Sequence, residues 1–300
     1  MTEYHNPVML QECIEALNIK PDGTYVDVTF GGGGHSREIM KHLGENGRLI
    51  AFDQDADAQR NKIEDKRFEF VDQNFRYLKN FCRLHGAIPV DGILADLGVS
   101  SHQFDEAERG FSIRFDAELD MRMNQQSELT AKQVVNTYGE AELHRIFGIY
   151  GEIQNAKSLA KTIVTGRLNG PLNTVSDLKN AISGLIPRGK EHKYLAQVFQ
   201  ALRIEVNQEL EVLKDFLQQA AEVLGTGGRL VVMSYHSLED RLVKNFIAKG
   251  KFSGEVEKDF YGNDQKPLVA VSRGAITATE DEIKENNRAR SAKLRIAVKK

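Results

Sequence analysis

The sequence predicts an α/β fold, a mostly parallel β-sheet with helices between its strands and an inserted helical subdomain. Over the first hundred residues, short β-branched and aromatic runs alternate with segments of helical periodicity. This alternation is typical of parallel strands joined by right-handed crossovers. From 105 to about 195 the strand pattern stops, and it returns at 228–235. We therefore expect a core made of residues 1–104 and 208–300 and an inserted helical subdomain of residues 105–207.

The elements of the core are predicted from their apolar runs, beginning with a helix at about 8–17. Strands and helices then follow in turn: strand 24–30, helix 35–43, strand 48–53, helix 56–64 capped by Asp55, strand 68–72, helix 75–84 and strand 91–97. After the insertion, a strand at 228–235 precedes a helix. The runs 268–271 and 294–298 are expected to complete the sheet as an antiparallel pair.

Two helix starts are visible in the insertion. Thr130 and Gln133 form a capping-box pattern, and Ser176 is expected to cap a helix that carries Leu178 and Ile182. An amphipathic stretch over 195–224 then leads back to the sheet.

Composition limits the classes of protein to consider. The 300 residues, 41% of them hydrophobic, suffice for one large packed domain or two ordinary ones. The net charge of −3 gives no overall sign of nucleic-acid binding, so such a function must depend on local basic patches. Cys13 and Cys82 lie far apart, which favours a reduced, cytoplasmic protein with no metal site. Neither an export signal nor a long apolar stretch is present, so no membrane association is expected.

The most informative segment is 24–36, in which a strand runs into four glycines and then a helix. Because Gly31, Gly32, Gly33 and Gly34 lack Cβ atoms, their N–H groups can approach a ligand at a helix N-terminus. Asp53 closes the next apolar run, at the distance where an acidic side chain can bind both hydroxyls of a ribose. The loop lacks the lysine of a Walker phosphate loop and fits a dinucleotide fingerprint loosely. It predicts a nucleoside cofactor.

Two further strand ends carry polar residues. Asp96 can accept a hydrogen bond from an amine, although a turn-forming role fits equally well. At the second strand end, Ser234 offers a hydroxyl acceptor and His236 a proton carrier, with a reference pKa of about 6.5. A cap made by Ser237 with Asp240 is the alternative interpretation of that turn. His35, at a helix N-terminus, is expected to be neutral because the helix dipole disfavours an imidazolium there.

Two basic stretches stand out against the acidic net charge. Their cations are Arg188, Lys190 and Lys193 in the first and Arg288, Arg290, Lys293 and Arg295 in the second. Phosphate-backbone binding needs such clusters, and they are the predicted RNA-binding residues. From composition alone, a basic tail that improves solubility fits the second stretch equally well.

Taken in chain order, the motifs resemble one family. They are HNPVM at 5–9, DVTFGGGGHS at 27–36, AFDQD at 51–55, DLGVSSHQFD at 96–105, ERGFS at 108–112, LDMRM at 119–123, FQALRIEVNQEL at 199–210, GGRLVVMSYHSLEDR at 227–241 and RSAKLR at 290–295. The resemblance is to the bacterial RsmH (MraW) family, methyltransferases that use S-adenosylmethionine to methylate the N4 amine of a cytosine in 16S ribosomal RNA. It spans nearly the whole chain.

This resemblance implies a Rossmann-like class I methyltransferase core with helices on both faces of the sheet, and 16S rRNA in the small ribosomal subunit as partner. The residues it implies for binding S-adenosylmethionine are Gly33, Gly34, His35, Asp53, Phe75, Asp96 and Gln103. The chain departs from the family pattern at Ala117-Glu118, where Gly-Pro is usual, and at Tyr235, where Phe is usual. Neither change removes a polar group from the expected pocket.

The catalytic candidates are Asp96, which would orient the amine or the methionine end of the cofactor, and more weakly His236 and Ser234. An NAD-dependent oxidoreductase would share the glycine turn and Asp53, whereas a non-catalytic ribosome-assembly factor would share the basic stretches. Removal of residues 286–300 is expected to weaken RNA binding and to leave cofactor binding nearly intact. The sequence leaves open whether the chain forms a homodimer.

Overall fold

A computed structural model describes residues 7–300, apart from the side chain of Ser101, and divides the chain into two compact units. The sheet unit comprises the chain up to Gly98 together with Leu210–Lys300, and the helical unit comprises Val99–Glu209. The boundaries at 98 and 209 differ from the predicted ones at 104 and 207. Val99 and Phe104 pack against the hydrophobic core of the helical unit, which places that segment outside the sheet unit. Part of the HNPVM motif, His5 and Asn6, lies outside the described residues.

The sheet unit begins with α1 (Leu10–Leu17), β1 (Thr24–Asp27), α2 (Gly34–His42), β2 (Arg48–Phe52), β3 (Phe68–Val71), α3 (Leu78–Leu84) and β4 (Val90–Asp96). The helical unit contains α4 (Ser101–Asp105), α5 (Ala131–Thr137), α6 (Glu140–Ile149), α7 (Ala156–Gly166), α8 (Val175–Ile182) and α9 (Glu191–Asn207). The chain continues with α10 (Glu209–Val223), β5 (Leu224–Ser234), α11 (Ser237–Lys249), β6 (Leu268–Ala270), α12 (Glu280–Glu285) and β7 (Lys293–Lys299).

The strands form a seven-stranded sheet in the order β3-β2-β1-β4-β5-β7-β6. The first five strands in this order pair in parallel, and β7 pairs antiparallel with both β5 and β6. The predicted α/β fold with a mostly parallel sheet is therefore confirmed, as is the antiparallel pair at its end. Because parallel strands end at the same edge, the residues after β1, β2 and β4 are brought together.

Apolar side chains cover both faces of the sheet, and the strand period of two residues decides which face each one takes. Val26, Ile93 and Val232 belong to the cluster that includes α3, α10 and α11, whereas their neighbours Tyr25 and Leu94 belong to the cluster that includes α1 and α2. Strands covered on both faces read as continuous hydrophobic runs, which explains why the sequence pattern was recognisable.

The core of the helical unit is formed by buried side chains of α5 to α9, among them Val134, Phe147, Leu159 and Leu202. Its first predicted helix start is confirmed, since the Thr130 hydroxyl accepts the N–H of Gln133 and the Gln133 side chain accepts the N–H of Thr130. None of the helices within residues 7–300 combines the length and apolar character needed to cross a membrane.

Three local predictions differ from the structure. The helix expected at 56–64 is a 3₁₀ helix at Ala56–Asn61, although Asp55 caps it as predicted. Thr174, not Ser176, caps α8, because the Thr174 hydroxyl accepts the N–H of Asp177. Ser176 lies inside the first turn, where its own N–H donates to Oδ1 of Asp116. The amphipathic stretch is two helices, α9 and α10, and the chain turns between them at Gln208 with a left-handed φ of 51°.

An ion pair joins β7 to α11. Nε of Arg295 lies 2.6 Å from Oδ1 of Asp240, and the two side chains are 17% and 12% exposed. Burial acts to raise the pKa of the Asp240 carboxyl, but the hydrogen bonds and charge of Arg295, together with Lys293, outweigh it and hold that pKa below its ordinary value. Asp240 is therefore ionised in the folded protein at neutral pH.

We expect the substitution Arg295→Ala to lower the free energy of unfolding by about 3 kcal/mol at pH 7, because the mostly buried Asp240 carboxylate loses its closest cation. A depressed carboxyl pKa gives stability that is present above the ordinary pKa and is lost as the pH falls. The difference between wild type and variant should therefore shrink below about pH 4. Urea unfolding measures this difference in stability. The control is Lys284→Ala, which breaks the exposed ion pair between Lys284 and Asp281. Equal midpoints for all three proteins would contradict the expectation.

Candidate active site

The glycine turn connects β1 to α2 at the carboxyl edge of the sheet. Gly31 and Gly33 adopt left-handed φ angles of 49° and 74°, which favour glycine. A Cβ atom on Gly34 would lie 2.2 Å from Cγ of Pro7, so the glycine at this position makes room for the chain itself. The side chain of Arg37 donates to the carbonyl of Gly32 and thereby holds the turn.

Asp53 follows β2 and holds the glycine turn from the neighbouring strand. Its Oδ2 accepts the N–H of Gly31 at 2.7 Å, and its Oδ1 accepts the N–H of Asp55 at 2.8 Å. Burial raises the pKa of the Asp53 carboxyl to about 6, against the opposing effect of these two hydrogen bonds. Each carboxylate oxygen has a second lone pair, so Asp53 can still accept two hydroxyl groups.

Asp96 is the last residue of β4, and both its backbone and its side chain are held. Its N–H donates to Oγ1 of Thr29 at 2.7 Å, and its Oδ1 accepts the hydroxyl of Tyr235 at 2.7 Å. Its Oδ2 lies 3.9 Å from Nδ1 of His35, whose Nε2 is 3.2 Å from the carbonyl of Val8. Burial raises the pKa of the Asp96 carboxyl to about 6.

A third carboxylate, missed by the sequence analysis, completes this edge. Asp27 ends β1, is buried, and accepts the hydroxyl of Ser36 at 2.7 Å and the N–H of Thr29 at 3.1 Å. Burial raises the pKa of the Asp27 carboxyl. The signal was an Asp at the end of an apolar run, the same one that identified Asp53 and Asp96. Since β2, β1 and β4 are neighbours in the sheet, the three carboxylates form an acidic edge suited to a ligand with positive charge.

A family model described as the MraW methylase family matches residues 2–300 of this chain. The chain belongs to the MraW methylase family. It is 59% identical over 299 residues to ribosomal RNA small subunit methyltransferase H of Christiangramia forsetii, covering 100% of this chain and 99% of that one. It is 58% identical to the protein of the same name from Bacteroides fragilis, covering 100% and 98%. Among solved structures, an rRNA methylase from Streptococcus thermophilus has 12% identity and a TM-score of 0.40, covering 97% and 93%.

The predicted family and the methyltransferase class are thereby confirmed, and with them S-adenosylmethionine as the cofactor. The residues present fit this group. Its ribose offers two hydroxyls, for which Asp53 has free lone pairs, and its sulfonium and ammonium are cations that suit the acidic edge. When bound, this cofactor supplies an electrophilic methyl group. Phe75, which follows β3 and packs edge-on against Phe216 with ring centroids 5.4 Å apart, stays the predicted neighbour of the adenine.

Gln103 lies in the helical unit, where its structural role is to cap α4. Its side chain accepts the N–H of Ser100 at 3.1 Å, and its own N–H donates to the Ser100 hydroxyl at 3.2 Å. The side chain is buried. The part of Gln103 in cofactor binding stays a prediction carried by the family resemblance.

His236 caps α11, a position that the alternative interpretation gave to Ser237. Its Nδ1 accepts the N–H of Glu239 at a long 3.5 Å, and its Nε2 lies 3.2 Å from Oε1 of the same residue. Glu239 is buried, and its Oε2 accepts the N–H of Tyr235 at 3.1 Å. Ser234, the last residue of β5, is also buried. The catalytic parts given to His236 and Ser234 stay predictions.

The seven predicted RNA-binding cations occupy different environments. Arg188, Lys190 and Lys193 are exposed at the start of α9, and within residues 7–300 the three make no ion pair. Arg288 and Arg290 lie on the 3₁₀ helix Asn287–Ser291. Lys293 and Arg295 both approach Asp240.

Residues 286–300, whose removal was expected to leave cofactor binding nearly intact, form part of the sheet. Those residues include β7, which pairs with β5 over Arg229–Ser234 and with β6. Removing them would expose the N–H and C=O groups of β5 and its apolar face, so the truncation cannot separate RNA binding from folding.

Proposed function

We propose that this chain transfers the methyl group of S-adenosylmethionine to the exocyclic N4 amine of a cytidine in 16S ribosomal RNA of the small subunit. The single observation that carries the proposal is the Asp96 carboxylate at the edge of the sheet in a chain of a methylase family, with Tyr235 bonded to one of its oxygens. The names of the relatives, which refer to the small-subunit RNA, support the substrate.

The cytosine amine is a poor nucleophile, because its lone pair is delocalised into the ring. Positive charge would grow on this nitrogen as the new bond forms. The ionised Asp96 carboxylate would accept a hydrogen bond from the amine, stabilise that charge and take up the proton that the methylated amine loses. Holding the two reacting groups in line can supply ~7–11 kcal/mol of the barrier reduction. The base must also leave its stack, at a cost of a few kcal/mol. Ser234 and His236 are the further acceptors that the sequence predicts at the neighbouring strand end.

The test is transfer of a tritiated methyl group to small ribosomal subunits from cells that lack this enzyme, followed by mapping of the labelled nucleoside. The proposal expects label in one cytidine, as N4-methylcytidine. Label in another position of the base would refute the assignment of the amine. RNA binding without any label would favour the non-catalytic assembly factor. Membership of a methylase family removes the reason for considering an oxidoreductase.

Exposed cations at the start of α9 are the part of the helical unit to test for RNA contact. We expect Lys190→Ala with Lys193→Ala to weaken RNA binding and to reduce the slope of log affinity against log salt by about 2, because two phosphate contacts are lost. The matched control is Lys157→Ala with Lys161→Ala, which removes the same charge from exposed positions of α7. Filter binding from low to moderate salt measures both. Equal slopes for the two double variants would contradict the assignment.

A further inference from the structure

Three contacts hold Tyr235, one through its hydroxyl, one through its backbone N–H and one through its ring. Its hydroxyl donates to Oδ1 of Asp96 at 2.7 Å, and its N–H donates to Oε2 of the buried Glu239 at 3.1 Å. The ring itself packs against the buried cluster that contains Cys13 and Leu94. These attachments leave the hydroxyl little freedom, so it presents a donor at one defined place.

The carboxylate of an aspartate can rotate about the Cβ–Cγ bond. Such rotation would leave the lone pairs of both oxygens without a fixed direction. The bond from Tyr235 sets the position of Oδ1 and therefore also that of Oδ2, which lies 3.9 Å from Nδ1 of His35. Reaction rates depend on such placement, since an error of about 1 Å in a reacting group can cost roughly 100-fold.

We propose that in this chain, which carries tyrosine where the family usually has phenylalanine, Tyr235 is a positioning residue for methyl transfer, whose hydroxyl holds the Asp96 carboxylate in the orientation that accepts a hydrogen bond from the substrate amine. This inference deepens the proposed function and rests on it. Tyr235 does not itself contact the reacting atoms in this scheme. It acts through Asp96.

The same bond affects the charge of Asp96. Titratable groups face this carboxyl from α1, α2, β1, the end of β5 and α11, namely Cys13, His35, Asp27, Tyr235 and Glu239. Burial raises the pKa of Asp96, the Asp27 and Glu239 charges raise it further, and His35 and the Tyr235 hydroxyl lower it. Loss of the hydroxyl therefore raises the pKa, so that Asp96 takes up a proton at a higher pH.

The experiment is the pH dependence of methyl transfer by wild type and Tyr235→Phe, a change that keeps the ring and removes only the hydroxyl. Activity should fall on the acid side as Asp96 is protonated, near pH 6 in wild type. In the variant we expect this midpoint to move up by about one pH unit. At pH 7 we expect kcat to fall by about 10-fold, with KM for S-adenosylmethionine nearly unchanged.

The matched control is Tyr25→Phe, which removes a buried hydroxyl bonded to the N–H of Lys20 at the other end of the same sheet. It is expected to leave the acid-side midpoint in place. A second readout is the titration of the Asp96 carboxyl in the free protein, followed by carbon NMR and assigned with Asp96→Asn. An active wild type whose profile and titration coincide with those of Tyr235→Phe would overturn the role of Tyr235. An inactive wild type would instead overturn the proposed function.

Discussion

We expect Asp53→Ala to bind S-adenosylmethionine at least ~100-fold more weakly than wild type, because two hydrogen bonds to a charged group are each worth about 1.5–3 kcal/mol. The substitution also releases the N–H groups of Gly31 and Asp55, which hold the glycine turn against β2. Binding therefore loses both a direct contact and the shape of the turn. Calorimetric titration with the cofactor measures the change.

Two further variants make this test specific. Asp53→Asn keeps one acceptor oxygen but loses the charge, so we expect an intermediate loss of about 10-fold. Asp65→Asn removes a carboxylate that precedes β3, at the opposite edge of the sheet, where it pairs with Arg67. It is expected to leave the affinity unchanged. If Asp53→Ala bound the cofactor as tightly as Asp65→Asn, the assignment of the ribose to Asp53 would be wrong.

The substitution Asp96→Asn is expected to reduce methyl transfer at pH 8 by at least ~100-fold, since an amide cannot match a carboxylate in stabilising charge on the amine nitrogen. Asparagine keeps an oxygen that accepts the Tyr235 hydroxyl, so the fold of the site should remain. Cofactor affinity, measured by calorimetry, separates this loss from a failure to bind. Full activity of the variant would remove Asp96 from the mechanism.

The same variant should be more stable than wild type at pH 8. Folding raises the pKa of the Asp96 carboxyl from its ordinary value of 3.8 to about 6. The contribution of this group to the stability of the fold is therefore complete below pH 3.8 and is lost as the pH rises through 6. At pH 8 ionised Asp96 lowers stability by about 1–3 kcal/mol, a difference that should largely vanish near pH 4.

Asp91, on the same strand, provides a control for which the expected change in stability has the opposite sign. At Asp91, burial acts to raise the carboxyl pKa, but the Thr24 N–H and the Lys20 ammonium outweigh it and lower that pKa. Asp91→Asn should therefore reduce stability at pH 8. Urea unfolding of both variants at two pH values checks the signs. Two variants that change stability in the same direction would contradict the account of the acidic edge.

The positions of the central strands β2, β1, β4 and β5 were predictable because these strands are apolar on both faces and are bounded by polar turns. Asp53 and Asp96 were predictable for a related reason, since a single carboxylate after an apolar run marks the end of a parallel strand. The residue that caps α8 could not be predicted from the sequence. Thr174 and Ser176 are both residue types that cap helices well. Thr174 takes the cap, and Ser176 falls inside the helix, where its N–H is bonded to Asp116, 60 residues away in the sequence.

The bond between Tyr235 and Asp96 shows the same limit, because it joins residues 139 positions apart. The basic end of the chain is a further example of this limit, since its composition cannot reveal that Arg295 is paired with Asp240. Secondary structure, the family and the carboxylates at two strand ends follow from the residues in their local order. The partners of those carboxylates, their raised pKa values and the packing of Pro7 on Gly34 depend on strand order and burial, which exist only once distant segments have come together.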